Sequence, residues 1–400
     1  MPRRWVIAGM LMLLSVLNYV DRQALAILAV TIQDDLGLST VEYARVVQAF
    51  LFCYAGAYLA AGRLVDRVGP RLAETLFVAW WSVANMLTGL ARGFGSLVAF
   101  RCLLGLGEPG HYAVAAKAVG RWFPPAERGL AVSLYTMGGT LGAALAAPLV
   151  AWLTIGYGWR AAFVATGAAG LVFAVVWWVV YRDPPGEETG GSRPRLAGPT
   201  LRELLTWKPL WVVVAVRMLT DPVWYFYLVW FAKYLQEGRG FTLADVGSTL
   251  WVVFVAADVG CLFAGWMAGR LVRGGVPPVA ARVRVMTGCA AVLGLGFLVP
   301  HLQNDGAMLA LASLCAGCVM AFMTCAVALP LDLFPASALG SVQGVIGTGG
   351  AVGGMISTGL VAWGITRFSY DGVFATLSIL HPLGLLLLVV LLPRASRGRP

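Results

Sequence analysis

Charge is scarce in this chain. Only 12% of its 400 residues are Asp, Glu, Lys or Arg, about half the share found in soluble domains. Histidine is scarcer still, with His111, His301 and His381 scattered along the sequence. No H-E-x-x-H, G-x-S-x-G or phosphate-binding loop is present, so the residue sets of a metallohydrolase, a serine hydrolase and a nucleotide enzyme are missing. An enzyme is excluded on that ground, and so is a pump that carries its own ATPase domain. The seven cysteines (Cys53, Cys102, Cys261, Cys289, Cys315, Cys318, Cys325) all fall inside apolar stretches. Cys315 and Cys318 form a C-x-x-C, but no His or further Cys pair completes a metal site. They read as buried thiols. No cofactor and no metal is expected.

What the chain has instead is apolar length. It is 59% hydrophobic with a mean hydropathy of +0.79. Runs of about 20 apolar residues, enough to cross a bilayer as helices, recur near 5–30, 43–63, 73–91, 96–120, 129–152, 160–181, 209–234, 243–270, 282–300, 306–330, 338–364 and 371–392. The first carries no small-residue cleavage motif and reads as a retained helix. The predicted fold is all-α and integral to the membrane. Twelve helices form two groups of six, 1–181 and 209–400, joined by a Pro-, Gly- and charge-rich linker over 182–208.

The net charge of +10 would suggest nucleic acid in a soluble protein. Here its placement sets topology. With the N-terminus inside, about 19 of the 29 Lys and Arg fall in inner segments and about six in outer loops, the bias of the positive-inside rule. The expectation is a multi-pass protein of a bacterial inner membrane with both termini cytoplasmic, working as a monomer without nucleic acid.

Four charges sit where lipid should not tolerate them. Asp21 and Arg22 interrupt the first stretch, and Arg101 and Glu108 the fourth. A charge at bilayer depth costs at least about 3 kcal/mol, so it faces a water-filled path and has a partner. Arg22 is expected to bind a substrate carboxylate, because a guanidinium offers a planar two-pronged fork that stays charged. Asp21 and Arg22 point about 100° apart on a helix and are badly placed to pair with each other. Asp21 is the expected proton carrier, since burial and a nearby cation act in opposite directions on a carboxyl group. Arg101 stands at a depth that permits pairing with it. Glu108 lies two turns after Arg101 on the same face, roughly 18 Å below the outer helix end, and is given a second proton-linked role or hydrogen bonds to substrate hydroxyls.

The two halves echo each other. Gly62-Arg-Leu-Val-Asp-Arg-Val-Gly-Pro-Arg71 follows the second stretch and Gly269-Arg-Leu-Val-Arg-Gly-Gly275 the eighth. Duplicated units with a site between them are a known transporter plan. Gly-rich runs at 137–142 and 344–354 let helix backbones approach closely.

At the 62–71 motif, with twelve helices and a central linker, the chain resembles the major facilitator superfamily. The resemblance implies a conformational gate at Gly62, Arg63, Asp66 and Arg67. Leu17-Asn-Tyr-Val-Asp-Arg-Gln23, Arg101-x6-Glu108, Trp122-Phe-Pro-Pro-Ala-Glu-Arg-Gly129 and Gly156-x-Gly-Trp-Arg-Ala-Ala-Phe163 look like its anion:cation symporter branch. Thr220-Asp-Pro-Val-Trp-Tyr-Phe-Tyr-Leu-Val-Trp230, Lys233-Tyr-Leu235 and Leu331-Asp-Leu-Phe-Pro335 look like bacterial hexuronate transporters. That implies import of a glucuronate- or galacturonate-like anion with protons as the coupling ion. Galactonate, tartrate or an aromatic acid is the alternative cargo. Tyr58, His111 and Thr136 stand where relatives often carry an amide.

Further pocket candidates follow. Tyr54 and Tyr58, four apart, share a helix face. His111 lies just past Glu108. Tyr225, in an aromatic cluster with Trp224, Tyr227 and Trp230, suits the C–H face of a sugar. Gln343 and Thr348 supply polar contacts from the second half. Lys117 is expected to snorkel to the inner surface. Asp221 and Asp258 have no assigned partner.

Overall fold

The computed structural model describes residues 3–184, 199–241 and 243–396. Residues 185–198, the middle of the expected linker, lie outside it, as do Arg397 and Arg399 of the basic tail. Among the described residues there is no strand, and sixteen α-helices follow one another with two 3-10 turns, Gly294–His301 and Ala336–Ala338. They are α1 (Arg3–Ile27), α2 (Ala29–Leu36), α3 (Thr40–Val68), α4 (Pro70–Thr88), α5 (Phe94–Gly107), α6 (Gly110–Trp122), α7 (Pro125–Tyr157) and α8 (Trp159–Val180). Then come α9 (Leu201–Leu205), α10 (Lys208–Val229), α11 (Phe231–Glu237), α12 (Leu243–Arg273), α13 (Pro278–Leu293), α14 (Asp305–Ala328), α15 (Pro330–Leu333) and α16 (Leu339–Ser396).

Local chemistry explains where several begin and end. Ser39 and Glu42 form a reciprocal capping box that opens α3, satisfying two orphan backbone donors at once. Outside the apolar run, those same hydrogen bonds hold the Glu42 carboxyl below its usual range. Pro70 starts α4 at the position where its missing N–H costs nothing. Asn304 accepts from Ala307 N–H at the head of α14. Pro109 separates α5 from α6, because it lacks the N–H that would continue the ladder. Glu108 sits at that break. α16 is interrupted at Ser369, whose φ of 60° lies in a region few side chains adopt.

All twelve apolar stretches are helical along most of their length. Nine helices among the described residues are long and apolar enough to cross a membrane. The fourth stretch is divided at Glu108–Pro109, so neither piece reaches that length alone. Trp152, Val172, Val175, Trp251 and Val259 stand more than half exposed. Such a girdle would drive association in water, and in a bilayer it meets the acyl chains.

The helices pack as two compact units. The first comprises Met1–Phe123, Leu134–Leu201 and Pro335–Thr348. In it α3 packs on α5, α4 on α8, and α6 on α1, α3 and α4. The second comprises Pro124–Ser133, Arg202–Phe334 and Gly349–Pro400, with α14 packed on α12, α13 and α10. Thus the first turns of α7 and of α16 each belong with the opposite set of helices. Close backbone approach explains it. A Cβ on Gly62 would fall 2.2 Å from the carbonyl oxygen of Gly340, and Ser133 at the end of the α7 segment donates to Cys261 O at 2.7 Å.

Candidate substrate and proton site

The four intramembrane charges lie in the first unit, and one contact organises them. Arg22 donates through Nε and Nη2 to the same Glu108 oxygen, at 3.0 and 2.7 Å. The pairing is between α1 and the break after α5, and the sequence did not indicate it. Glu108 is fully buried, whereas the Arg22 side chain is 24% exposed. The arginine therefore reaches open space while its partner does not. The other Glu108 oxygen, Oε1, has no partner among the described residues.

Aromatic rings surround the guanidinium. Its Cζ lies 4.5 Å from the Tyr54 ring centroid, 5.0 Å from Tyr19 and 5.6 Å from Phe50. Ring faces attract a cation and fix the plane of the fork. Tyr54 and Tyr58, expected to share a face, have hydroxyls 3.2 Å apart. Asn18, one turn before Arg22, stands 3.5 Å from Nη2. Phe50 went unnoticed in the sequence, and Asn18 and Tyr19 stood in the 17–23 motif without a role in the site. Asn18 carried the available signal, a polar residue four before the arginine.

Asp21 is fully buried, and its partner comes from α4. Asn85 Nδ2 donates to Asp21 Oδ1 at 2.7 Å and also contacts Thr166 Oγ1 and Phe163 O. Asp21 Oδ2 has no partner among the described residues. The pairing with Arg101 that their depths permit is not made. Arg101, 2% exposed, lies over the Phe50 ring at 4.9 Å, and its Nε and Nη1 lack partners among the described residues. The Phe50 ring thus meets both guanidinium groups, and Asp21 turns toward α4.

His111 needs a correction as a pocket residue. It is fully buried, with one ring nitrogen 2.8 Å from Ser15 Oγ and the other 2.5 Å from Glu74 Oε1. Packing of α6 on α1 and α4 engages both ring nitrogens there, and neither contacts Arg22. Lys117 does not snorkel either. It is 1% exposed and pairs with Asp66 at 2.7 Å, because Asp66 offers a carboxylate nearer than any surface.

That carboxylate also ties the 62–71 motif to the head of α16. Asp66 accepts from the backbone N–H groups of Gly340 and Ser341, at 3.0 and 2.6 Å. These are orphan donors at the head of α16, where the helix dipole favours an anion. Arg63 donates to Pro199 O at 2.8 Å, and Arg67 is exposed. In the second unit, Asp332 takes Arg282 at 2.5 Å and Arg128 at 3.2 Å.

The remaining candidates divide. Thr348 donates its hydroxyl to the carbonyls of Gly344 and Ala55. Gln343 is buried, with Oε1 lacking a partner among the described residues. Neither reaches Arg22. A Cβ on Gly347 would meet the Tyr58 ring at 2.4 Å, so this stretch of α16 holds Tyr58 in place. Tyr225 belongs to the second unit and lies against Gly354. Trp224 is buried edge-on to Phe254, which removes it from an interfacial belt. Asp221 has a partner after all, Arg217 one turn earlier at 2.8 Å.

Residues 11–328 match the family described as Major Facilitator Superfamily. A galacturonate transporter of Dickeya chrysanthemi is 30% identical, over 66% of this chain and 81% of its own. A D-galactonate transporter of Escherichia coli is 29% identical over 99% and 97%, and the hexuronate transporter of E. coli K12 is 25% identical over 96% and 93%. Among solved structures, the proton:xylose symporter XylE superposes with a TM-score of 0.79 at 13% identity, covering 98% of this chain and 96% of that one.

Proposed function

Because the chain belongs to the Major Facilitator Superfamily, and is a membrane transporter rather than an enzyme, we propose that it imports a sugar-acid anion together with protons. The cargo in this reading is a hexuronate such as glucuronate or galacturonate, the class named for two of the relatives. Import runs into the cytoplasm across a bacterial inner membrane.

One observation carries the proposal: the Arg22 fork is occupied by an internal carboxylate. Glu108 takes the place that a substrate carboxylate would fill. Glu108 takes the Nε and Nη2 donors on one side of the guanidinium, so a substrate carboxylate that docks on that same pair has to displace it. Protonating Glu108 removes its charge and weakens its hold, which frees Arg22 for the incoming anion. Binding an anion then requires taking up a proton, and the site stays near neutral while the halves alternate. Asp21, held by Asn85 away from Arg22, carries a second proton. Two protons per monoanion make the cycle electrogenic and accumulative.

Tyr19, Tyr54 and Tyr58 around the fork favour a cyclic cargo whose C–H face packs on rings while phenol hydroxyls meet its own. The same tyrosines support the second reading, an aromatic carboxylate. The test is uptake of labelled glucuronate into liposomes holding the purified chain. We expect at least tenfold stimulation by an inward gradient of one pH unit, the concentrating power of a single coupled proton, and competition by galacturonate. Uptake indifferent to the gradient would refute the coupling. Competition by benzoate-type acids alone would move the cargo to the second reading.

A further inference from the structure

The chain Glu74–His111–Ser15 takes no part in the cycle above, although it lies against it. Glu74 stands in the second turn of α4, His111 in the first turn of α6 and Ser15 midway along α1. All three are fully buried. His111 Nδ1 is 2.5 Å from Glu74 Oε1, and Nε2 is 2.8 Å from Ser15 Oγ. An unpaired buried polar group costs roughly 1–3 kcal/mol, so each of these contacts needs a proton in it.

The count of protons can nevertheless change by one. With the pair at net charge −1, a neutral imidazole donates from Nδ1 to the Glu74 carboxylate, and Nε2 accepts from the Ser15 hydroxyl. One more proton brings the pair to net neutral. Glu74 O–H then donates to Nδ1 and Nε2–H donates to Ser15 Oγ, or an imidazolium donates at both nitrogens. Both hydrogen bonds survive in every form, because a serine hydroxyl rotates from donor to acceptor. Neither form is forced by other neighbours. Glu74 Oε2 has no partner among the described residues.

We propose that Glu74 and His111 form a third proton-binding site, which holds one exchangeable proton with Ser15 as the reversible hydrogen-bond partner. It rests on the proton-coupled reading for its role in transport, though not for its existence. The surroundings contribute little other charge. From α1 only Ser15 reaches the ring; from α4 come Glu74 and the Trp81 ring at 6.2 Å. On α3, Asp66 is engaged by Lys117 and Tyr58 by Tyr54, and the 3-10 turn Ala336–Ala338 has no titratable side chain. Tyr112 on α6 itself lies 5.4 Å from the ring. His111 is one turn beyond Glu108, across Pro109, so a change of one charge on the pair alters the field at the carboxylate that holds Arg22. Occupancy of the two sites is therefore linked.

The full-length chain labelled with nitrogen-15 histidine, in lipid bilayers, tests this. Its ring signals are titrated between about pH 5 and 9, and His111→Gln assigns the His111 pair by its absence. The expected result is that the proton moves from Nε2 to Nδ1 as pH rises, and that Glu74→Gln removes this titration. In liposomes the same Glu74→Gln chain should shift the pH of half-maximal uptake by about one unit while exchange at fixed pH stays within threefold. His111 signals that stay constant over the range overturn the proposal, as does a titration unchanged in Glu74→Gln. If wild-type uptake ignores the gradient, the coupled-transport reading fails, while the nitrogen signals still decide the pair.

Discussion

Arg22→Ala is expected to lower the affinity of the purified chain for glucuronate by about a hundredfold or more. Two charge-assisted hydrogen bonds are at stake, each worth roughly 1.5–3 kcal/mol, and every 1.4 kcal/mol is about a factor of ten. The loss has a second source. Without the guanidinium, Glu108 is left fully buried without the cation it pairs with, a setting that repels a further anion. Arg22→Lys separates charge from shape, since an ammonium keeps the charge and loses the fork. It should fall between wild type and the alanine variant. Calorimetric titration reads all three. An alanine variant that binds within threefold of wild type would place the carboxylate site elsewhere.

The second large effect is expected at Asp21. Asp21→Asn keeps the shape and the contact with Asn85 but cannot take or lose a proton. If Asp21 carries one coupled proton, an inward gradient of one pH unit drives up to about tenfold more accumulation with it than without it. The variant should therefore lose about tenfold in gradient-driven accumulation per pH unit, while counterflow exchange stays within threefold of wild type. Exchange is the control for folding, because it needs an intact site and no net proton movement. Accumulation equal to wild type would remove Asp21 from the coupling.

The architecture was legible in the sequence because each stretch announces itself by length and apolarity. All twelve runs are helical, and the Gly62–Arg71 motif does sit at a helix end where Asp66 meets a second helix. The division of α5 from α6 was not read, although Pro109 marks it. The site was legible as a set of residues and not as a set of partners. Asp21, Arg22, Arg101 and Glu108 stood out because charge inside an apolar run is rare. Which pairs with which depends on helix rotation and packing, and a single chain does not record those. Arg22 thus pairs with Glu108, and Asp21 with Asn85. Glu74 escaped notice because it lies one turn from a basic loop and resembles an ordinary helix-end acid. His111 looked like a pocket residue because it follows Glu108 closely, yet one turn across a proline its ring nitrogens meet Ser15 and Glu74 instead.

In the proposed cycle Glu108 and the substrate compete for one guanidinium. The direct measurement is proton uptake on binding, from calorimetry of glucuronate in buffers that differ in ionisation enthalpy. Close to one proton should be taken up per anion bound at neutral pH, and affinity should strengthen toward acid pH. In Glu108→Gln the proton uptake should vanish and the affinity become insensitive to pH. Wild-type binding with no proton uptake and a flat pH dependence would contradict the exchange at Arg22.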